Sequence, residues 1–198
     1  MAAHRIGSTA TDREIALTHP AENHQQTAAH FTELVDGTND WLAPSPVPDW
    51  VAADVVEHLI GWLPQVLSNW TDVELPATTG DLPARWQAHA ANVQQILDDP
   101  ATADSPVAQG PFAGSTVATL IDQIYTPDIF MHSWDLARSS GQEPGLDSER
   151  AQQMLAGMEP IEEMLRASGQ YGRRQHTTST DPIDQLIAFI GRDPAWRP

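Results

Sequence analysis

Residues 125–141, YTPDIFMHSWDLARSSG, place Asp128, His132 and Asp135 in the part of a helix that should be apolar. Stepping about 100° per residue, Val117, Leu120, Ile121, Ile124 and Met131 share one face, and the three ionisable groups fall in its middle. The helix is predicted from Ser115, as its N-cap, to Ser140, with a bend at Pro127 and a stop at Gly141. A buried carboxylate without a partner is strongly disfavoured, so this stripe demands mutual pairing, water or a cation. Asp128 and His132 stand four apart, which lets both side chains converge on one point in front of the helix. That spacing suits a pair of metal ligands, and it suits equally a buried Asp–His hydrogen bond that fixes helix packing. Asp135 also has two readings: it orients a ligand imidazole, or it caps the helix or pairs with Arg138.

A third ligand must come from another helix. In VAADVVEHLIGWLPQVLSNW, residues 51–70, the residues Val55, Val56, Leu59, Ile60, Leu63, Val66, Leu67 and Trp70 form a broad apolar face flanked by His58. Two neutral imidazoles and one carboxylate suit Zn(II), Ni(II) or Fe(II), with positions left open for water or substrate. His4, His19, His24, His30, His89 and His176 lie among polar neighbours and are expected to be solvated. Most of the tryptophans are expected in the core. The cluster YGRRQH at 171–176, with Arg166 nearby, reads as a solvated loop or as a docking point for a small anion.

The rest of the chain repeats the helical pattern. A first helix is predicted around Ala28, Phe31, Leu34, Val35, Thr38 and Trp41, and a third around Trp86, Ala90, Val93, Ile96 and Leu97. Pro44, Pro46 and Pro48 forbid helix between the first two. Pro64 is a candidate kink in the second helix, Pro160 falls in the middle of the fifth helical pattern, and the last helix has Asp181 as N-cap with Pro182 at its first position. Residues 1–20 lack apolar periodicity and are expected to be a loose extension, leaving 21–198 as one domain. The fold class is all-α, an antiparallel bundle with accessory C-terminal helices.

Composition narrows the partners. With 27 Asp and Glu against 10 Lys and Arg, the net charge of -17 disfavours nucleic acid and anionic membrane surfaces. There is no cysteine, so neither a disulfide framework nor a protein thiol is available, and thiol chemistry would need a borrowed sulfur. The N-terminal stretch carries no apolar signal region and no run is long enough to span a bilayer, so a cytoplasmic location is expected.

PVPDWVAADVVEHLIGW resembles the P-x-W-x-x-x-D-V/L-x-x-H-L/V-x-x-W entry to the second helix of the DinB-like superfamily, in the group of mycothiol-dependent maleylpyruvate isomerase N-terminal domains. DIFMHSWDLARSSGQ is similar to that group's E/D-x-x-x-H-x-W-D-L-A-x-A-T-G helix, and GMEPIEEMLRASGQYG and LIAFIGRDPAW resemble a metal-binding subgroup. The resemblance, over residues 22–198, implies a DinB-like four-helix bundle with a divalent ion, often zinc, held by His58, Asp128 and His132. It implies a metal that activates a low-molecular-weight thiol of the mycothiol type for transfer to, or isomerisation of, a small electrophile. The alternative is a bundle that binds a metal or small molecule without catalysis. Superfamily members often pair through helix faces, which makes a homodimer the assembly to test. Two departures stand out: Asp128 replaces the commoner Glu, and the stretch after Gly141 is expected to be too short for the isomerases' separate C-terminal domain.

Overall fold

The computed structural model describes residues 19–198, and among these the chain is all-helical, with two isolated β-bridges, Pro44–Val51 and Pro106–Thr116. The expected extension over residues 1–20 lies outside the described residues as far as residue 18. His19 and Pro20 already begin the first helix, α1 (Pro20–Gly37), where the His19 side chain caps Ala21 N–H. α2 (Ala52–Trp70) continues through Pro64, and α3 (Leu82–Asp98) starts on an Asp81 cap. A single turn, α4 (Pro100–Ala103), follows the stop at Asp98–Asp99.

The predicted fourth helix is divided. A short turn, α5 (Val117–Leu120), is capped by Thr116 rather than by Ser115. It passes into a π-helical turn over Ile121–Tyr125 and then into α6 (Thr126–Ser140). The cause is Pro127, whose ring crowds the carbonyl one turn back and whose nitrogen has no proton to give; the preceding turn widens so that Thr126 N–H bonds to Ile121 O. One extra residue in that turn rotates everything beyond it. Met131, expected on the bundle face, therefore packs on the opposite side with Phe130 and Trp134. Gly141 ends α6 in the left-handed conformation, φ 71°, as predicted.

The fifth helix is also broken at its proline, into α7 (Ser148–Met158), a 3₁₀ turn over Glu159–Ile161 and α8 (Glu162–Ala167). α9 (Pro182–Phe189) begins on Asp181, whose carboxylate accepts from Ile183 N–H.

α1 and α2 each pack against both α3 and α6, closing a ring of four helices around Phe31, Leu59, Leu63, Trp86, Val93, Leu120 and Ile129. α7 and α9 pack together on the far side of α6, over Phe130, Met131, Trp134, Leu155, Leu186 and Phe189. α6 is thus shared by two cores, and eleven of its fifteen residues are buried. A helix sandwiched in this way has no solvated face for its polar side chains, so each must find a partner inside. Among the described residues no helix is long and apolar enough to cross a membrane.

Candidate metal centre

His58 on α2 and Asp128 and His132 on α6 meet where those helices cross, each offering a ligand atom within 4.8 Å of the others. His58 Nε2 lies 3.2 Å from Asp128 Oδ2, His132 Nε2 lies 3.6 Å from Asp128 Oδ1, and the imidazole centroids are 4.9 Å apart. The i,i+4 spacing brings Asp128 and His132 together locally; the packing of α2 on α6 brings His58 to them. This group could hold a metal ion.

The chemistry of the donors supports that fit. His132 Nδ1 sits 2.9 Å from Asp135 Oδ2, and a carboxylate only accepts, so Nδ1 carries the proton. In the neutral ring Nε2 is then a lone pair facing Asp128 Oδ1 at 3.6 Å, and a cation between the two acceptors would turn that opposition into attraction. Burial lowers the His132 pKa, but the carboxylates of Asp128 and Asp135 outweigh burial and the opposing Arg192 charge, so the net shift is upward. Burial also works against ionised Asp128, yet the charge of His132 and the hydrogen bonds from His58 and Trp62 hold its pKa below the usual range.

Asp135 is fully buried, and its Oδ2 accepts from His132 Nδ1. The expected pairing with Arg138 is not formed, since Arg138 lies over the Trp134 ring; Asp135 pairs instead with Arg192, beyond the end of α9. The Arg192 charge is the chief reason why the Asp135 pKa stays low despite burial.

Two tryptophans expected to be mainly core turn out to border the cluster. Trp62, one turn after His58 on α2, donates its indole N–H to Asp128 Oδ2 at 2.9 Å. Trp50 stacks on His132 with centroids 5.8 Å apart and planes inclined by 17°, and it tilts over His58 at 5.2 Å. The proline-rich loop delivers Trp50 through a tight turn with Asp49 at φ 67°, closed by Ser45 N–H donating to Trp50 O at 2.9 Å. The motif P-x-W…H-x-x-x-W contained both rings, and the spacing of Trp62 one turn from His58 was the signal for the first.

Other expectations are corrected. His24 and His89 are not solvated: they are buried inside the ring of helices, His24 against Gln94 and His89 against the Tyr125 hydroxyl. His30 is half-buried against Pro144 O, while His176 is exposed as expected. In the basic cluster Arg166 is paired with Glu162 and backbone carbonyls and Arg174 with Glu159 and Glu162, while Arg173 and His176 are exposed.

No family model matches the chain, and no solved structure does. It is 31% identical over 184 residues to Uncharacterized protein Rv0738 of Mycobacterium tuberculosis strain ATCC 25618 / H37Rv, with 87% of this chain and 97% of the relative covered. The same figures hold for Uncharacterized protein MT0763 of strain CDC 1551 / Oshkosh. An identity of that level across nearly the whole length of both relatives means that the chain belongs to the same family as these mycobacterial proteins.

Proposed function

We propose that this protein is a DinB-like four-helix bundle that holds a divalent ion, zinc foremost with nickel or iron as alternatives, on His58, Asp128 and His132, and that it works on a small thiol. The observation that carries the proposal is the convergence of three ligand atoms from two helices, with His132 Nε2 left as a lone pair opposite Asp128 Oδ1. The ring formed by α1, α2, α3 and α6, with α7–α9 appended, supports the bundle reading. Three protein ligands leave positions open, the pattern of a reactive rather than a closed structural site.

When bound, the ion would lower the pKa of a low-molecular-weight thiol of the mycothiol type so that thiolate forms near neutral pH, ready to attack a small electrophile. The absence of cysteine agrees with a sulfur supplied from outside. The protein's own residues set the stage for such a step. Asp135 fixes the ring of His132, Trp62 fixes the carboxylate of Asp128, and Trp50 covers one flank of the imidazoles.

The test is metal analysis of the purified protein followed by thiol titration of its Co(II)-substituted form. About one ion per chain and a new sulfur-to-cobalt charge-transfer band on adding mycothiol are expected. Metal uptake with no response to thiol would leave a non-catalytic metal-binding bundle; no uptake at all would reduce the cluster to a buried Asp–His network.

A further inference from the structure

The turn after α9 is built so that it cannot accept a side chain. Gly191 has φ 98°, its N–H donates to Ala188 O, and Arg192 N–H donates to Ile187 O at 3.0 Å, a pair of bonds that closes the helix end. A Cβ on Gly191 would stand 2.7 Å from the Gly172 backbone, so the segment around 172 is pressed directly onto the turn. Arg166 ties the two together, donating to the carbonyls of both Gly172 and Phe189 while its guanidinium lies 4.9 Å from the Phe189 ring centroid. Gln175 N–H adds a bond to Ala188 O at 2.8 Å.

The product of this construction is one guanidinium aimed back at α6. Arg192 Nη2 lies 3.1 Å from Asp135 Oδ2, and Arg192 Nε lies 3.3 Å from Oδ1, with Asp135 fully buried between the two cores. A carboxylate held at one oxygen can swing about its χ2 bond; a carboxylate gripped at both by a planar fork cannot. With its plane fixed, Oδ2 faces His132 Nδ1, which sets the proton on Nδ1 and the lone pair of Nε2 toward Asp128.

We propose that Arg192 is the positioning residue of the metal centre, holding His132 through Asp135 and thereby coupling the C-terminal layer of the fold to ion binding on the opposite side of α6. The inference rests on the metal reading given above. Coupling of this kind is reciprocal: whatever Arg192 contributes to ion binding, the ion returns as order in the turn that carries Arg192. None of the three ligands lies beyond residue 132, and the Asp135–Arg192 pair is the polar link from the cluster to residues 186–192, beside the apolar packing of Phe130, Met131 and Trp134 on Leu186 and Phe189.

The test uses the full chain, Zn(II) as the probe, and the variants Arg192→Met and Arg192→Lys. Affinity is read by chelator competition, backbone order by amide exchange over residues 186–192, and the His132 tautomer by 15N shifts. In the wild type, Zn(II) should slow exchange in that segment. Arg192→Met should weaken binding about 10- to 100-fold, in the range typical for outer partners of metal ligands, abolish the protection and let the His132 proton distribute over both nitrogens. Arg192→Lys keeps the charge without the fork and should retain only part of the affinity. Wild-type affinity in the Met variant overturns the inference while leaving the metal site standing; if that variant does not fold, wild-type affinity in the Lys variant does the same. A wild-type protein that takes up no Zn(II) overturns the metal reading, and this inference with it.

Discussion

Where α2 crosses α6, His58 and His132 face carboxylates; further inside the ring of helices, His24 and His89 face an amide and a phenol. The two clusters touch through one aromatic edge, Trp62 against Tyr125, with centroids 5.5 Å apart. Burial is nearly complete for His24, His89 and His132, yet their proton affinities move in opposite directions. His24 donates Nδ1–H to Gln94 Oε1 and has nothing among the described residues on its buried Nε2, so burial dominates and its pKa falls. His89 falls to about 4, through burial and then repulsion from His24. His132 rises because two anions outweigh its desolvation. Depth alone therefore does not decide whether an imidazole is neutral; the sign of its neighbours does. The inner pair acts as structure, whereas the outer group has the anionic character that a cation needs.

Removing the anion from the outer cluster should have the largest effect. Asp128→Asn keeps the shape and the contact with Trp62 but withdraws the charge, and metal content after dialysis is expected to fall by at least about 100-fold relative to the wild type. Retention of stoichiometric metal would mean that the ion sits elsewhere.

The two clusters should next separate in the pH dependence of stability, measured by urea unfolding of the metal-free protein. His89 has a folded pKa of about 4 against 6.5 unfolded, so the unfolded chain binds more protons between those values. Stability should rise by on the order of 3 kcal/mol from pH 4 to 6.5 and be lost as the pH falls back through that window. His89→Gln should flatten this limb. His132 has the opposite sign: its raised folded pKa contributes stability that is complete below 6.5 and disappears as the pH climbs through the folded value. An ion competes with that same proton, so metal affinity should decline as the pH is lowered through the His132 titration.

Trp62→Phe probes the border between the clusters. It keeps an aromatic ring beside Tyr125 but removes the N–H held by Asp128 together with part of the indole's bulk, so metal affinity should drop about 10-fold. The smallest effect is expected from Tyr125→Phe, which deletes the bond to His89. Stability should fall by about 1 kcal/mol, as for one hydrogen bond, while metal affinity stays the same. A parallel loss of metal would show that the inner cluster supports the outer one through Trp62.

Much of this architecture is written locally in the chain. The Asp128–His132 pair, the Gly141 stop, the Asp181 cap and the apolar faces of α2 and α3 depend on residues within a turn or two of one another, so periodicity and spacing reveal them. His58 was legible as the third candidate because it borders the α2 stripe, although the sequence could not bring it to α6. What tertiary packing alone decided is everything that depends on distance along the chain. His24 and His89 look solvated among polar neighbours, yet they are buried because α1 and α3 turn those faces inward. Trp50 and Arg192 reach the cluster over separations of 82 and 57 residues, from His132 and Asp135 respectively. Spacing within one helix fixes which side chains share a face, because the rise and twist of the backbone are constant. Which partner that face meets follows from how the two cores close around α6, and that is settled by burial summed over the whole chain.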